Sequence, residues 1–378
     1  MKQKEYSGSG SINNLVEIVK KTKAENIFIV CGNKSYKKSG AQRKINCMLK
    51  EKKKVIFNNF GANPEYDELL DGISLFKKNQ YDLIIAVGGG SVLDMAKLIN
   101  IFSFQPHKPA AYIKGDKAFC KKPVPLLAIP TTVGTGSEAT HFAVLYMNKN
   151  KYSVAHDYVL PDFVILDPQF TYSLPPYVTA CSGMDALCQG IESFWSINST
   201  SKSRGFSIKA IKKIYNNIRA GVKGCKKSRE DMLIGANYSG KAINISKTTA
   251  AHALSYTLTS YCGIPHGHAV ALLIGEVIRH NSDWERKEIV DDRGALYLEE
   301  VLLEVKKIFL KEKGTLKNKI NELLSDIGLS NRINEICPKL DEKIFKEKFI
   351  GNVNLQRLAN NPVKMNKDDL KIIYENVF

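Results

Sequence analysis

A short apolar run over residues 81–87 passes directly into Gly88-Gly89-Gly90-Ser91 and on into a helical pattern over residues 92–102. A strand that turns on glycine straight into a helix is half of a β-α-β unit, and such a unit commits its strand to a parallel sheet. Residues 26–31, 54–58 and 124–129 read as further strands separated by helix-length segments, so the first half of the chain predicts a doubly wound parallel sheet. From about Leu174 the pattern changes. Apolar residues recur at three and four over residues 182–196, 203–220, 229–244 and 266–280, which predicts a second, all-helical domain. Between Leu160 and Pro176 the steps Leu-Pro-Asp, Leu-Asp-Pro and Leu-Pro-Pro hold the chain extended, placing the boundary there. The expected division is an α/β domain over 1–168 and an all-α domain over 169–378.

The 378 residues, 44% of them hydrophobic, suffice for two cores. No apolar run approaches the roughly 20 residues of a membrane span, and Met-Lys-Gln-Lys-Glu-Tyr leads into no secretory core, so a cytoplasmic protein without a membrane partner is expected. Eight cysteines are scattered without a C-x-x-C pair, which argues for reduced thiols rather than a disulfide or zinc framework. The formal charge of +17 comes from lysines spread over several helices, around 20–23, 50–54, 209–213 and 306–313. Without aromatic interleaving this reads as solvated surface, which excludes a nucleic-acid module and leaves a small molecule, with room for an anionic one, as the expected partner. Oligomeric state stays open, a homodimer included.

Two loops carry the signal for a nucleotide. Gly88, Gly89, Gly90 and Ser91 leave backbone N–H groups bare at a helix start, where a pyrophosphate is stabilised. By itself this run is equally a plain tight turn, since it is not G-x-G-x-x-G. The run 126–129 then delivers Pro130-Thr131-Thr132-Val133-Gly134-Thr135-Gly136-Ser137-Glu138. Two polar, glycine-bearing loops at strand ends of one sheet are what a dinucleotide site at a switch point requires. Gly88, Gly89, Gly90, Ser91, Asp94, Thr131, Thr132, Thr135 and Ser137 are its expected cofactor-binding residues.

The helical half carries donors for a metal. Asp185 and Gln189 stand at i and i+4 in Gly183-Met184-Asp185-Ala186-Leu187-Cys188-Gln189, on one helix face. His252 and His266 follow in Ala-His-Ala-Leu-Ser-Tyr and Ile-Pro-His-Gly-His. One carboxylate and two imidazoles can hold a divalent ion with positions left open for a substrate oxygen. Either histidine alone is more simply a hydrogen-bonded core residue.

Taken in order and spacing, Gly-Gly-Gly-Ser-Val-Leu-Asp-Met-Ala-Lys (88–97), Pro-Thr-Thr-Val-Gly-Thr-Gly-Ser-Glu (130–138), Gly-Met-Asp-Ala-Leu (183–187) and Ile-Pro-His-Gly-His-Ala (264–269) resemble the iron-containing alcohol dehydrogenases. The resemblance implies a Rossmann-like nucleotide domain, a helical domain of the dehydroquinate synthase-like type, and a metal in the cleft between them. Its ligands carry over onto Asp185, His252 and His266. Many members have histidine where this chain has Gln189 and Tyr256, so Gln189 enters the expected ligand set only as a weaker amide donor, and Fe2+, Zn2+ and Mn2+ stay open. The chemistry implied is hydride transfer between the nicotinamide and a carbonyl carbon, with the ion as Lewis acid and Asp185, His252, His266 and Tyr256 as the catalytic set. Packing accounts for Tyr256 equally well.

Cofactor choice is set after the first strand, where an acidic residue would bind the ribose and repel a 2′-phosphate. Asn33 occupies the position resembling the family's NAD-selecting aspartate, with Lys34, Ser35 and Lys37 beside it, so NADP(H) is favoured over NAD(H). Asn63 and Lys151 match further cofactor-contact positions of the family. Before His252, Lys241, Lys247, Thr248 and Thr249 supply polar and cationic groups suited to a substrate that carries its own anion. That run, Gln189 and residues 192–196 resemble the phosphonoacetaldehyde reductase branch, which belongs to phosphonate biosynthesis and forms 2-hydroxyethylphosphonate. Three alternatives stand beside it: a general alcohol dehydrogenase for neutral substrates, a dehydroquinate synthase-like lyase that returns its NAD unchanged, and a non-catalytic binding protein on the same scaffold.

Overall fold

The computed structural model describes residues 3–148, 150–309, 314–340, 349–350, 353 and 355–378, and divides into two compact units, Met1–Leu174 and Pro175–Phe378. Parts of the charged tail expected to be helical beyond Lys306, namely 310–313, 341–348, 351–352 and 354, lie outside the described residues.

The first unit is built on a six-stranded, all-parallel sheet of β1 (Lys4–Ser7), β2 (Asn26–Cys31), β3 (Lys53–Phe57), β4 (Leu83–Gly88), β5 (Leu126–Pro130) and β8 (Phe163–Leu166), in the order β1-β8-β5-β4-β2-β3. All of β4, β5 and β8 is buried, as a parallel strand covered on both faces must be. Helices α1 (Leu15–Thr22), α2 (Ser35–Lys38), α3 (Ala41–Met48), α4 (Tyr66–Phe76), α5 (Gly90–Ser103) and α6 (Pro109–Ile113) complete the unit. One apolar core, with Ile12, Ile29, Ile45 and Ile165, lies on one side of the sheet; the other, with Phe28, Leu69, Ile99 and Phe102, lies on the opposite side. This alternation of Phe28 and Ile29 follows from the two-residue period of a strand. An antiparallel hairpin, β6 (Phe142–Met147) with β7 (Asn150–Ala155), stands apart from the sheet.

The second unit is helical: α7 (Pro176–Trp195), α8 (Ser201–Val222), α9 (Lys226–Ser246), α10 (Ala250–Cys262), α11 (His266–Ser282), α12 (Ala295–Phe309) and α13 (Leu316–Asp326), followed by short segments that include Leu355–Leu358 and Lys367–Glu375. The Leu-Pro-Pro step read as a breaker ends by starting a helix. Pro176 occupies the first turn of α7, where the missing N–H costs nothing, and the helix begins six residues before its apolar periodicity does. Against α7, Gly267 lets α11 approach closely: a Cβ there would lie 2.0 Å from the Cys181 carbonyl oxygen and 2.9 Å from Asp185 Cβ. No helix among the described residues is long and apolar enough to cross a membrane.

Candidate active site

In the first unit the strand order reverses between β2 and β4, and parallel neighbours present their carboxyl ends along one edge. Asn33 follows β2, Gly89 follows β4, and the Thr131–Ser137 loop follows β5, tied to the end of β4 by Thr131 N–H donating to the Gly88 oxygen at 2.9 Å. A Cβ at Gly89 would come within 3.1 Å of Thr132 Cγ2, and one at Gly90 within 2.6 Å of Thr135 Cγ2. Glycine therefore lets the two loops touch as well as leaving N–H groups bare. No side chain caps the start of α5, so its first-turn N–H groups face whatever occupies this edge. Asn33 and Asn63 are exposed, Ser91, Thr132, Thr135 and Lys151 half-buried, and Ser91 Oγ donates to the Ala62 carbonyl beside Asn63.

Asp94 and Ser137 serve the loop itself. Asp94 accepts from Ser137 Oγ at 2.6 Å through one oxygen and from Val144 N–H at 3.0 Å through the other. Below them lies Lys97, which sequence reasoning passed over. It is 1% exposed, and its ammonium donates to the Ser137, Thr140 and Phe142 carbonyls at 2.5, 3.0 and 2.9 Å, with the Ser137 and Thr140 hydroxyls each at 3.0 Å. Burial pulls its pKa down to about 8 against the attraction of Asp94 and Glu138. The cation thus fastens the β5 loop to α5 and β6.

In the second unit, α7, α10 and α11 bring Asp185, His252 and His266 together, with one ligand atom of each within 4.8 Å of the others. His252 Nε2 stands 3.4 Å from Asp185 Oδ1, and both atoms are buried without a hydrogen-bond partner. Behind His252 is Glu192, fully buried two turns beyond Asp185 on α7. Its Oε2 meets His252 Nδ1, while its Oε1 accepts from the Thr249 hydroxyl at 2.9 Å and Ala251 N–H at 2.7 Å. That contact fixes the ring so that Nε2 faces the cluster. Burial opposes a charged His252, but Glu192 and Asp185 outweigh it and hold the pKa above the usual imidazole value. Ser255 Oγ lies 3.5 Å from His266 Nδ1, and Tyr256 stacks on the His266 ring with centroids 5.8 Å apart. His268, next in the motif, is structural: its nitrogens meet Tyr177 Oη at 3.2 Å and the Ser330 carbonyl at 2.8 Å.

Two expected site residues have partners of their own. Gln189 Oε1 accepts from Ser239 Oγ at 2.8 Å, and its side chain hydrogen-bonds Asp185, whose carboxyl burial pushes up but His252, His266 and Gln189 hold below its usual value. Thr249 is no substrate contact, because its hydroxyl donates to Glu192 and accepts from Trp195 Nε1 at 3.0 Å, with the residue fully buried. The remaining members of the expected anion site have separate surroundings. Lys241 Nζ lies 5.4 Å over the Tyr238 ring, Lys247 is exposed at a left-handed φ of 61°, and Thr248 Oγ1 accepts from the Arg357 guanidinium at 2.6 Å.

Comparison with known proteins accounts for both halves. The iron-containing alcohol dehydrogenase family matches residues 3–168, and the C-terminal part of the Fe-containing alcohol dehydrogenase family matches 179–378. The chain belongs to the iron-containing alcohol dehydrogenase family. It is 30% identical to long-chain-alcohol dehydrogenase 1 of Geobacillus thermodenitrificans, over 99% of this chain and 94% of that one. To NADPH-dependent butanol dehydrogenase of Clostridium saccharobutylicum it is 29% identical, over 99% and 96%. Among solved structures, sulfoacetaldehyde reductase from Bifidobacterium kashiwanohense in complex with NAD+ superposes with a TM-score of 0.88 at 28% identity, covering 99% and 96% of the two chains.

An iron-containing alcohol dehydrogenase takes a divalent metal and NAD(P), and the donors here suit such an ion. Leaving a buried donor or acceptor unpaired costs about 1–3 kcal/mol. A divalent ion held by Asp185, His252 and His266 would offset that cost. The chain is thus an oxidoreductase of the alcohol dehydrogenase and aldehyde reductase type.

Proposed function

We propose that this protein reduces a small anionic aldehyde, phosphonoacetaldehyde to 2-hydroxyethylphosphonate, with NADPH preferred over NADH. The observation that carries the catalytic part is the Asp185–His252–His266 cluster, its first two residues buried with their Oδ1 and Nε2 atoms lacking a hydrogen-bond partner. When bound there, the divalent ion polarises the substrate carbonyl, and the nicotinamide supplies hydride to its carbon. Asp185 contributes charge, His252 and His266 contribute neutral nitrogen donors, and Glu192 keeps His252 in the tautomer that offers Nε2. The uncapped start of α5, with Gly89, Gly90 and the Thr132–Thr135 loop, receives the pyrophosphate, and Asn33, Asn63 and Lys151 hold the rest of the nucleotide. Exposed Asn33 and Lys34 after β2 leave no carboxylate to repel a 2′-phosphate.

The anionic substrate is supported by the likeness to a reductase named for sulfoacetaldehyde, an aldehyde that carries a sulfonate. The test is NADPH oxidation across aldehydes matched in length and differing only in a phosphonate, sulfonate, carboxylate or methyl terminus. The phosphonate should lead, the methyl compound should trail by at least about tenfold in kcat/KM, and a reversed order defeats the substrate assignment.

A further inference from the structure

We infer that Cys262 and Cys337 are a modification site, a dithiol that closes to a reversible disulfide at the expense of a low-molecular-weight disulfide and clasps the turn presenting His266. Cys262 is the last residue of α10, and only Gly263, Ile264 and Pro265 separate it from His266, the first residue of α11. Cys337 closes the short helix Ile333–Ile336, with its N–H donating to the Ile333 carbonyl at 2.8 Å. The Cys262 thiol hydrogen-bonds Cys337, so the two sulfurs meet from distant parts of the chain. Contacts on either side hold this approach in place. His268 Nε2 meets the Ser330 carbonyl at 2.8 Å, Ile333 N–H donates to the Val377 carbonyl at 2.8 Å, and Tyr374 Oη donates to the Leu254 carbonyl of α10 at 2.8 Å. The segment 330–337 is therefore moored to the start of α11 directly, and to α10 through the helix Lys367–Glu375 and the residues after it.

Both thiols are half-buried, within reach of a small oxidant, whereas Cys31, Cys181 and Cys188 are buried and Cys47, Cys120 and Cys225 exposed. Burial and the contact with Cys337 push the Cys262 thiol up to about 12, so Cys262 keeps its proton and donates it toward Cys337. Only a thiolate attacks a disulfide, which makes Cys337 the attacking sulfur and Cys262 the resolving one. Cys337 Sγ bonds to one sulfur of the small disulfide, the old S–S bond breaks, and the departing thiolate takes up the proton that Cys337 gave. Cys262 then yields its proton to the second leaving thiolate as its sulfur bonds to Cys337 Sγ. Two protein thiols are oxidised by two electrons, and one small disulfide is reduced to two thiols. An S–S bond of about 2.05 Å asks sulfurs already in contact to move only a short way. Gly263, at a left-handed φ of 64°, lets the turn follow.

The experiment treats the folded full chain with glutathione disulfide, maps its peptides without reduction, and follows melting temperature and the amide exchange of the stretch from Leu258 to His268. Wild type should yield a peptide linking Cys262 to Cys337 that dithiothreitol dissolves. Its melting temperature should rise by at least about 4 °C, and exchange at Gly263 and Ile264 should slow. C262S should retain glutathione on Cys337, whereas C337S should leave Cys262 unmodified. The wild-type map decides the linkage by itself, so a serine variant that fails to fold leaves the test intact. Absence of the linked peptide from wild type whose exposed Cys47 has taken up glutathione overturns the disulfide. A linked peptide with unaltered exchange at Gly263 and Ile264 overturns the clasp on the His266 turn, and glutathione found on Cys262 in C337S overturns the order of attack.

Discussion

Glu192 grips His252 from behind: its Oε2 meets His252 Nδ1, and its Oε1 is itself held by the Thr249 hydroxyl at 2.9 Å and the Ala251 N–H at 2.7 Å. The carboxylate fixes both the start of α10 and the direction in which His252 offers its second nitrogen. Trp195, by donating to Thr249 at 3.0 Å, extends the same support to the end of α7.

Replacing Glu192 by Gln should therefore weaken metal retention by about 10- to 100-fold while the chain stays folded, because an amide cannot both orient the ring and raise its basicity. Metal content after dialysis against a graded chelator series reads this directly. Equal retention in both proteins would mean that Glu192 serves packing only.

Asn33 stands exposed at the end of β2, where the adenosine ribose is expected. Asn33→Asp should move the preference from NADPH toward NADH by at least about tenfold, since the new charge repels a 2′-phosphate and accepts from ribose hydroxyls. Steady-state kcat/KM with both cofactors measures it, and a wild type that already favours NADH contradicts the reading of this loop.

Much of the fold was legible because buried parallel strands are short apolar runs. Residues 26–31 coincide with β2, and β3, β4 and β5 fall within two residues of their expected starts. Two sheet strands stayed hidden. Lys-Glu-Tyr-Ser of β1 is an exposed edge strand with no apolar run, and β8 has only four residues between Pro161 and Asp167-Pro168, a context that reads as a linker although all four are buried. The hairpin β6–β7 escaped for a different reason, since its strands lie outside the β-α-β alternation that organises the sheet. The Asp185, His252 and His266 cluster was readable from motifs, whereas its support was not. Glu192 sits two turns beyond Asp185 on the same helix, a spacing that could have flagged it, but the Thr249 and Ala251 groups that hold it reach it only through tertiary packing. The partners of Gln189 and Thr249 were not legible, because a sequence shows which polar groups are near a ligand and not which neighbours already engage them.

Lys97→Met should destabilise the first unit by about 3–5 kcal/mol, because it strands buried carbonyls of Ser137, Thr140 and Phe142 and the Asp94 carboxylate. Urea unfolding gives the loss. NADP+ affinity should fall as well, since the Thr131–Ser137 loop loses its fastening; unaltered affinity in the folded variant would show that the loop holds its shape without the cation.

Glu276 on α11 accepts from Arg279 Nε and Asn376 Nδ2, each at 2.9 Å, and pairs with Lys317. Burial raises its pKa, but Lys317, Asn376 and Arg279 outweigh this and hold it below 4.5. A depressed folded pKa means the unfolded chain binds the proton more readily, so the stabilisation is complete above 4.5 and is lost as pH falls through the folded value. The melting temperature of wild type should drop more steeply than that of Glu276→Gln on the acid side, the two curves converging there. Parallel curves would remove Glu276 from the acid transition.

Aldehyde reduction by a divalent metal at Asp185, His252 and His266, at the expense of a nicotinamide cofactor, is tested by stripping the protein of metal, restoring Fe2+, Zn2+ or Mn2+ singly, and measuring alcohol formed and NADPH oxidised from phosphonoacetaldehyde in the same vessel. Turnover should be absent without metal, return with at least one ion, fail to return in His266→Ala, and oxidise one NADPH per 2-hydroxyethylphosphonate. Undiminished turnover in protein shown to be metal-free, or product formed with the cofactor returned unchanged, would contradict it.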